Sequence, residues 1–404
     1  MVRVDEGERG TVMKAARKVL IAGAGGVGRA VGLILRETSE EPLDLTLGDA
    51  REDVAQRAAE WIRRGSRGPG EVTSFRLPSD GQDDDFRSAL SSSDLLLDCL
   101  PGREAPRMAE LARDHGLHYA NLTEHVAETD RIRRLAEGAQ TGFILQTGLA
   151  PGVVDVLGHG LLQRCCADWG VESAEALGMR VGALPLNAVA PHYYAFTWSP
   201  IGVATEYLKD THVLEKGVHR RRQALEGIQP MVLHGVCYEE AYTSGGVADL
   251  PEALEGRVET LDYKTLRYPG HWRWVREQVE TLVSDGTPAE ERPVELLRRM
   301  ERVVPREELD VVVLYAFVQG RDCRGILRRR EVVRRIEGRK VGLHALSAIQ
   351  VTTASGLAES ARLLLAGRCR GVVLQSQIAP EEYLAGPFVA PVYDTADVLK
   401  APPA

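Results

Sequence analysis

A glycine-rich turn separates a short apolar segment from a helix-like segment near the start of the chain, and few folds accept such a junction. VLIAGAGGVGR at 19–29 contains the pattern G-x-G-x-x-G. These glycines allow a tight turn, close approach of the backbone to a pyrophosphate, and close packing of helix on strand, while the helix start offers free N–H donors. The pattern predicts a dinucleotide-binding turn formed by Gly23, Ala24, Gly25, Gly26, Val27 and Gly28.

An acidic residue follows the glycine turn at the spacing typical of dinucleotide sites. Asp49 ends the second apolar segment 21 residues after Gly28, where a carboxylate can bind both hydroxyls of a ribose. An Asp here favours NAD because it repels a 2′-phosphate, whereas Arg51 would attract one. We therefore expect a nicotinamide cofactor, NAD or NADP, with NAD favoured. The alternative is a plain turn with a solvated Asp at a strand end.

Short apolar runs alternate with helix-length connections through the first 150 residues. The runs lie at 19–22, 43–47, 72–75, 94–100, 117–122 and 143–147. Continuously apolar strands joined in this way are typical of a parallel sheet that is covered on both faces. We predict an α/β fold with a Rossmann-type, doubly wound parallel sheet of six strands.

The residues after the fourth predicted strand are candidates for cofactor contact. Cys99, Leu100 and Pro101, followed by Gly102, should face the bound cofactor, because ligands of such sheets bind beyond the carboxyl ends of the strands. Hydride transfer needs no thiolate, so Cys99 is expected to pack rather than to act as a nucleophile.

The rhythm of the sequence changes after Gly152. Longer, less regular segments follow, including 177–185, 192–198 and 309–320. They predict an α+β second domain with a more antiparallel sheet. Near the end, 345–367 is typical of a helix stopped by Gly367, and GVVLQS from Gly371 offers one more strand.

Length, charge and cysteine content narrow the class of protein. At 404 residues the chain exceeds one core, and its net charge of -8 disfavours a nucleic-acid or membrane surface. Six cysteines without a C-x-x-C pair are expected to be reduced, no metal site is expected, and a cytoplasmic location follows. Residues 1–14 lack the apolar core of a signal peptide and are expected to form a frayed extension.

Several separate stretches together resemble the saccharopine dehydrogenase family, specifically its saccharopine reductase and lysine 6-dehydrogenase branches. Besides the glycine turn, they are TGLAPGVVDVL at 147–157, FTWSPIGV at 196–203, YTSGGVADLP at 242–251, KTLRYPGH at 264–271 and GVVLQSQIAPEEY at 371–383. The resemblance covers residues 18 to 385, and the order and spacing of the stretches carry it.

The resemblance implies two domains with different roles. A dinucleotide-binding domain at 15–150 plus 345–390 would be interrupted by a substrate-binding and dimerisation domain at 151–344, and the protein would be a homodimer. The chemistry implied is hydride exchange at the carbon of a C–N bond in a lysine-like amino acid, through an imine.

The segment KTLRYPGH combines positive charge with aromatic surface. With the resemblance, Arg267 is expected to bind the substrate carboxylate, because a guanidinium can form two parallel hydrogen bonds to it. Tyr268, with Trp272, would exclude water. His271 either shuttles the proton that leaves the amine or is a structural donor. The alternative for the whole segment is a surface loop with solvated cations.

Asp155 follows the sharp exit from the last predicted strand and lies in the first turn of a helix. It either stabilises the positive end of that helix or faces the substrate amine as a catalytic acid. Ala150 stands where saccharopine reductases typically carry an Asp, which strengthens the lysine 6-dehydrogenase resemblance. Trp198 and Ser199, which the resemblance implies are substrate-binding residues, look more like the saccharopine reductase pattern.

Two further residues follow the fifth predicted strand, and both are candidates for substrate binding. Asn121 and Glu124 occupy a loop that should face the cleft, where Glu124 could bind an amine or relay a proton. The alternative is that residues of this loop cap the next helix.

The function that the resemblance implies is an NAD(P)-dependent oxidoreductase acting on a small amino-acid substrate, with no nucleic-acid or membrane partner. Saccharopine dehydrogenase-like activity leads. Lysine 6-dehydrogenase activity, carboxynorspermidine dehydrogenase-like activity, and a non-catalytic nicotinamide-binding sensor are the alternatives.

Overall fold

The computed structural model describes residues 16–78 and 83–400. The extension expected at residues 1–14 lies outside this range. The strands, in chain order, are β1 Arg17–Ala22, β2 Leu43–Asp49, β3 Val72–Arg76, β4 Leu95–Asp98, β5 His118–Asn121, β6 Gly142–Ile144, β7 Ala174–Pro185, β8 Thr211–Glu215, β9 Val218–Arg222, β10 Gln229–Leu233, β11 Val236–Ala241, β12 Val258–Arg267, β13 Asp310–Arg321, β14 Leu327–Glu337, β15 Arg339–Val341, β16 His344–Leu346 and β17 Gly371–Val373.

Helices connect and cover these strands. They are α1 Gly26–Thr38, α2 Glu52–Gly65, α3 Asp84–Ser92, α4 Ala105–Asp114, α5 Val126–Leu135, α6 Val153–Trp169, α7 Pro200–Glu206, α8 Leu250–Ala253, α9 His271–Ser284, α10 Arg292–Glu301, α11 Ala348–Leu365, α12 Pro380–Leu384 and α13 Ala390–Tyr393. Within residues 16–78 and 83–400, no helix combines the length and apolar character needed to cross a bilayer.

One sheet carries the glycine turn. Among the described residues, seven strands form this sheet in the order β17-β6-β5-β4-β1-β2-β3, and all neighbours are parallel. The order reverses between β1 and β4, so a crevice opens there at the carboxyl ends of the strands. The predicted doubly wound parallel sheet is confirmed, and β17 extends it beside β6.

The apolar runs are continuous because both faces of this sheet are covered. Val19 and Ile21 enter a core shared with α1, α2 and α11, while Leu20 and Ala22 enter a second core shared with α3, α4 and α5. All four side chains are at most 1% exposed. A strand that is buried on both sides has no polar face, so its sequence is an uninterrupted apolar run.

A second sheet forms the other half of the molecule. Within the described residues it has eight strands, with the order β10-β11-β12-β7-β13-β14, and in addition β8 pairs with β12 and β9 pairs with β8. Its neighbours are antiparallel except for β7 and β12. The prediction of a more antiparallel second sheet is confirmed. Residues 192–198 lie outside its strands, and Phe196 forms an isolated bridge with Arg306.

The end of the chain returns to the first sheet. Helix α11 packs against α1, and β17 pairs with β6. This arrangement supports the division into 15–150 with 345–390 and 151–344, which we retain as a proposal.

A buried carboxylate joins the second sheet to α11 at this return. Asp310, the first residue of β13, is 3% exposed and accepts hydrogen bonds from the N–H groups of Ala348 (2.6 Å) and Ile349 (2.9 Å). These N–H groups begin α11 and have no partner within their own helix. Asp310 therefore fixes the start of α11, whose residues Ile349 and Gln350 line the main cavity described below.

Replacing Asp310 by Ala should lower the free energy of unfolding by about 2 kcal/mol, because two buried N–H groups lose their acceptor. Urea denaturation followed by circular dichroism measures the change. Asp84→Ala is the control, since the Asp84 side chain is 98% exposed and its loss should change stability by less than about 0.5 kcal/mol. Equal effects of the two substitutions would contradict the assigned role.

Candidate active site

The glycine turn is held by close backbone contacts. Gly23 has φ +94°, and a Cβ there would lie 2.8 Å from the carbonyl oxygen of Cys99. A Cβ at Gly28 would overlap the carbonyl oxygen of Gly23. The N–H of Gly23 donates to the carbonyl of Gly48 over 2.7 Å, which ties the turn to the end of β2. These contacts require glycine at both positions.

Gly25 differs from its neighbours because it faces open space. No atom lies within 4 Å of a Cβ built on Gly25, and the residue lines a cavity. It is the N-cap of α1, and no side chain caps that helix start. Unpaired N–H groups beside an open cradle fit a pyrophosphate. The turn therefore fits the phosphates of a dinucleotide.

Asp49 links the second strand to the glycine turn. One of its carboxylate oxygens accepts from the N–H of Ala24 (3.0 Å), and the other accepts from the N–H of Arg51 (3.1 Å). The exposed Arg51 side chain pairs with Asp53 at 2.9 Å. Asp49 thus lies beside the turn as predicted, and Arg51 is engaged by a neighbouring carboxylate.

The loop after β4 lies against the turn. Cys99 and Leu100 line the cavity, whereas the exposed Pro101 is outside the lining residues. Burial raises the pKa of the Cys99 thiol, so the thiol stays protonated. Of the three residues predicted to contact the cofactor, Cys99 and Leu100 therefore line the cavity and Pro101 does not. The protonated thiol suits Cys99 to packing.

The main cavity runs from the glycine turn to the second sheet and has a volume of about 590 Å³. Its lining includes Gly25, Gly26, Val27, Gly28, Cys99, Leu100, Glu124, Val181, Ala183, Trp198, Ser199, Glu206, Tyr263, Thr265, Arg267, Arg306, Ile349, Gln350 and Thr353. Four charged side chains, two arginines and two glutamates, share this space with the glycine turn. Across the described residues, no cluster of His, Cys, Asp and Glu is suited to a metal ion.

Arg267 ends β12 inside an aromatic cage. Its guanidinium carbon lies 4.9 Å from the ring centre of Tyr194, 5.7 Å from Tyr207 and 5.6 Å from Trp272. Nε donates to the Tyr207 hydroxyl over 2.9 Å. Burial opposes the charge, but Tyr207, Tyr194 and Glu206 outweigh it and raise the pKa of Arg267. A fixed cation therefore faces the cavity.

His271 does not reach the cavity, and the expectation that it shuttles a proton is corrected. It is fully buried: Nδ1 donates to the carbonyl of His192 over 2.6 Å, and Nε2 lies 3.0 Å from the Tyr207 hydroxyl. Burial and the charge of Arg267 lower its pKa to about 3. The neutral ring accepts from Tyr207, which in turn accepts from Arg267. His271 thus orients Arg267 through Tyr207.

Two glutamates form an acidic pair in the main cavity. The carboxylate of Glu206 lies 4.0 Å from Nη2 of Arg267. Burial and then the charge of Glu124 raise the pKa of Glu206 well above its ordinary range, although Arg267 opposes this. Burial raises the pKa of Glu124 to about 7. The pair can therefore hold a proton at neutral pH.

Local packing explains the position of each glutamate. Ser199 accepts from the N–H of Gly202 over 3.3 Å and begins α7, which ends at Glu206. Trp198 packs against Gly202. On the other side, Gly245 lies so close to Glu124 that a Cβ there would be 3.0 Å from the Cβ of Glu124. Trp198, Ser199 and Glu124 line the cavity as predicted.

Three other predicted site residues lie away from the cavity lining, and their expected roles are corrected. Asp155 is fully buried and accepts from the N–H of Gly152 over 2.7 Å, so it caps α6. Asn121 accepts from the N–H of Gln146 over 2.9 Å. Tyr268 packs on the opposite side of the second sheet, where its ring stacks 5.9 Å from Tyr238.

Strand alternation explains why Arg267 and Tyr268 separate. Successive side chains of a strand point to opposite faces, so Tyr263, Thr265 and Arg267 line the cavity while Leu266 and Tyr268 enter the other core. Tyr263 and Thr265 were missed from the sequence, although their period-two spacing before Arg267 is the signal that would have found them.

Two missed residues are charged. Glu206 follows Ser199 and Pro200, which are a helix-start signal, so its place in the same short helix was open to prediction. Arg306 has no local signal, because it lies in a connection that reaches the cavity through the bridge to Phe196. Gln350 and Thr353 of α11 reach the cavity only through the late return of the chain.

Comparison with known families covers nearly the whole described chain. Residues 19–145 match the saccharopine dehydrogenase NADP binding domain, and residues 148–392 match the saccharopine dehydrogenase C-terminal domain. The mitochondrial alpha-aminoadipic semialdehyde synthase of Rattus norvegicus is 23% identical over 267 residues, which are 64% of this chain and 27% of that protein. The chain thus spans about a quarter of that relative.

Two solved structures share the fold. Apo saccharopine dehydrogenase (L-Glu forming) from Saccharomyces cerevisiae superposes with a TM-score of 0.66 at 17% identity, over 87% of this chain and 92% of that chain. Homospermidine synthase from Legionella pneumophila in complex with NAD gives a TM-score of 0.64 at 13% identity, over 93% and 90% of the two chains.

Gly25→Ala should weaken binding of the reduced coenzyme about tenfold or more while leaving thermal stability unchanged. Gly25 has φ −70°, which Ala adopts, and its added methyl would occupy only the cradle. Fluorescence titration gives the dissociation constant, and calorimetry gives Tm.

The matched control is Gly116→Ala. Gly116 has φ +68° with open space around it, so Ala should cost about 1 kcal/mol of stability without altering coenzyme affinity. If Gly25→Ala binds coenzyme like the parent protein, the cradle is assigned to the wrong ligand.

Proposed function

The chain belongs to the saccharopine dehydrogenase family of NAD(P)-binding oxidoreductases, and on that premise we propose that it acts on the C–N bond of a lysine-derived amino acid through an imine. The observation that supports this most is the main cavity, where the glycine turn shares one space with Arg267, Arg306, Glu124 and Glu206. Such a lining complements a substrate that carries both carboxylate and amino groups.

A nicotinamide coenzyme would supply hydride exchange at the reacting carbon. Gly25 and Gly26 would hold its pyrophosphate, Asp49 its ribose hydroxyls, and Leu100 would lie beside it. We propose NAD rather than NADP, because the Asp49 carboxylate beside the turn disfavours a 2′-phosphate and Arg51 is paired with Asp53.

Arg267 is the proposed carboxylate ligand of the substrate. Its Nε and Nη1 already donate to the Tyr207 hydroxyl and to the carbonyl of Leu266 (3.0 Å). Nη2 remains, with Glu206 at 4.0 Å as its carboxylate neighbour. The aromatic cage fixes the guanidinium before substrate arrives, so little entropy is lost on binding. Arg306 offers a second, more exposed cation in the same cavity.

Glu124 and Glu206 are the proposed proton-handling groups, in place of His271 and Asp155. An amine must lose a proton before it is oxidised, and an acid or base serves best when its pKa is near the working pH. Glu124, whose pKa is raised to about 7, meets that condition. Glu206 beside Arg267 would hold the substrate amino group near the bound carboxylate.

A second candidate is a polyamine or carboxylated polyamine as substrate. Two glutamates in one cavity favour it, because each can bind one ammonium group of a diamine. A carboxynorspermidine dehydrogenase-like or lysine 6-dehydrogenase-like reaction would use the same groups. The third candidate is a nicotinamide-binding sensor without turnover.

We further propose that the protein is cytoplasmic and works as a homodimer. Sedimentation analysis of the purified protein tests the homodimer.

Substrate profiling separates these candidates. Lysine, saccharopine, carboxylated polyamines and unsubstituted polyamines are each incubated with NAD and NADP, and absorbance at about 340 nm follows reduced coenzyme. Turnover with a carboxylated amine is expected. Coenzyme binding without turnover on any amine would point to the sensor instead.

Arg267→Lys should lower kcat/KM about 30-fold, mostly through KM, because loss of a charge-assisted, fixed hydrogen bond costs about 2 kcal/mol. Steady-state kinetics on the best substrate measure the effect. Arg180→Lys is the matched control: Arg180 is also a buried arginine, paired with Glu240 and Asp262, but it does not line the main cavity. It should cost stability and leave KM unchanged, and a KM shift of the same size in both variants would argue against a substrate role.

Glu124→Gln should change the pH dependence of both stability and rate. Folding raises the pKa of Glu124 from 4.5 to about 7, so the stability linked to this group is present below pH 4.5 and is lost as pH rises through about 7. The free energy of unfolding of the Gln variant, taken relative to the parent protein, should therefore be higher at pH 8 than at pH 4.5.

The rate of amine oxidation should rise through pH 7 in the parent protein and lose that inflection in the Gln variant. Glu137→Gln serves as control, since Glu137 is exposed and is outside the main cavity. An unchanged inflection near pH 7 in Glu124→Gln would remove Glu124 from the proposed mechanism.

A further inference from the structure

A second cavity adjoins the main cavity and is absent from the mechanism above. Its volume is about 420 Å³, and Glu124 lines both cavities. The polar residues of its lining include His125, Glu128, Gln146, Lys209, Asp210 and Arg221. The two cavities thus share one carboxyl side chain.

A lysine without a carboxylate partner lies in this cavity. Within the described residues, no carboxylate oxygen is within 4.0 Å of Lys209 Nζ, which instead contacts Nδ1 of His125 at 3.3 Å. Burial and then Lys209 lower the pKa of His125, so the neutral ring accepts a hydrogen bond from the ammonium group. His125 therefore holds the ammonium group at the cavity without a direct ion pair among the described residues, and the charge of Lys209 partly opposes the burial that raises the pKa of Glu124.

The start of α5 faces the same space. Val126, Ala127 and Glu128, which form its first turn, line the cavity, and the N-cap residue His125 makes no side-chain capping bond. The N–H groups of a first helical turn have no partner in their own helix and carry partial positive charge. They add hydrogen-bond donors next to Lys209.

A buried amide supplies an independent sign of a ligand. Gln146 lines the second cavity, is 5% exposed, and has φ +61°. Across the described residues its side-chain amide has no hydrogen-bond partner, although its backbone N–H donates to Asn121. A left-handed backbone is costly for a residue with a Cβ, and a buried amide is normally paired. The amide, which faces the second cavity without a partner among the described residues, is therefore available to bind a molecule there.

The acidic groups of the cavity restrict the ligand. Asp210 is neutralised by Arg221 at 3.0 Å, but Glu124 and Glu128 also face this space. A doubly charged phosphate would be repelled by these carboxyls, whereas a single carboxylate would meet Lys209 and the α5 donors at lower cost. An amino group on the same ligand would find Glu124 or Glu128.

We infer that the second cavity is a binding site for a carboxylate group of a small organic acid or amino acid, held by Lys209, the first turn of α5 and Gln146. The carboxylate has two possible sources, a free acid or the far end of a substrate that extends past Glu124. Because binding at the second cavity is measured without turnover, this inference goes beyond the proposed reaction.

Isothermal calorimetry of the full chain with L-glutamate, glutarate and inorganic phosphate tests the inference, with and without saturating reduced coenzyme. The parent protein should bind L-glutamate or glutarate more tightly than phosphate. Lys209→Gln should weaken that binding about fivefold or more. Lys340→Gln, which removes an exposed lysine that lines neither cavity, should leave it unchanged.

Gln146→Asn introduces a residue that tolerates a left-handed backbone. Its side chain is shorter, so the amide reaches less far into the cavity and binding should also weaken. No carboxylate binding by the parent protein, or equal binding by the parent and Lys209→Gln, would overturn the site. Coenzyme binding in the same experiment separates this failure from failure of the proposed function. If Lys209→Gln also raises KM for a carboxylated substrate, the substrate itself is the source, whereas an unchanged KM assigns the site to a separate acid.

Discussion

The close packing of the glycine turn against the strands around it is the constraint on which the rest of the structure depends. Gly23 passes within contact of Cys99, Gly28 lies on Gly23, and Asp49 accepts from Ala24. These contacts set the angle at which α1 leaves the sheet. They leave Gly25 as the open position of the turn, so the same packing that stabilises the sheet also forms the cradle.

The charge pattern of the main cavity depends on what surrounds it. Arg267 stays charged in a buried position because aromatic rings and Tyr207 surround its guanidinium, and because Glu206 lies nearby. Burial raises the pKa values of Glu124 and Glu206. A cation that is fixed and an acid pair that can exchange a proton give the cavity both binding and proton-handling capacity. Glu124 also lines a second polar cavity.

Local patterns were enough to predict the first sheet, the glycine turn and Asp49, because each depends on residues close together in sequence. Arg267, Trp198 and Ser199 were also placed in the site through their motifs, and Glu124 through its position after the fifth strand. His271 was not predictable in its role, since its low pKa follows from burial and from the charge of Arg267, and its hydrogen-bond partners His192 and Tyr207 are distant in sequence. Arg306 reaches the cavity from a connection without local signal, and Tyr268 was misassigned because neighbouring side chains at the end of β12 point to opposite faces of the sheet.

The central claim is that a nicotinamide coenzyme lies across the glycine turn with its reactive ring in the cavity that holds Arg267. A crystal structure of the protein with bound reduced coenzyme tests it most directly. We expect the pyrophosphate at the N–H groups following Gly25 and the nicotinamide between Leu100 and the side chains of Trp198 and Arg267. A coenzyme bound elsewhere, or a nicotinamide ring that points away from Arg267, would contradict the claim.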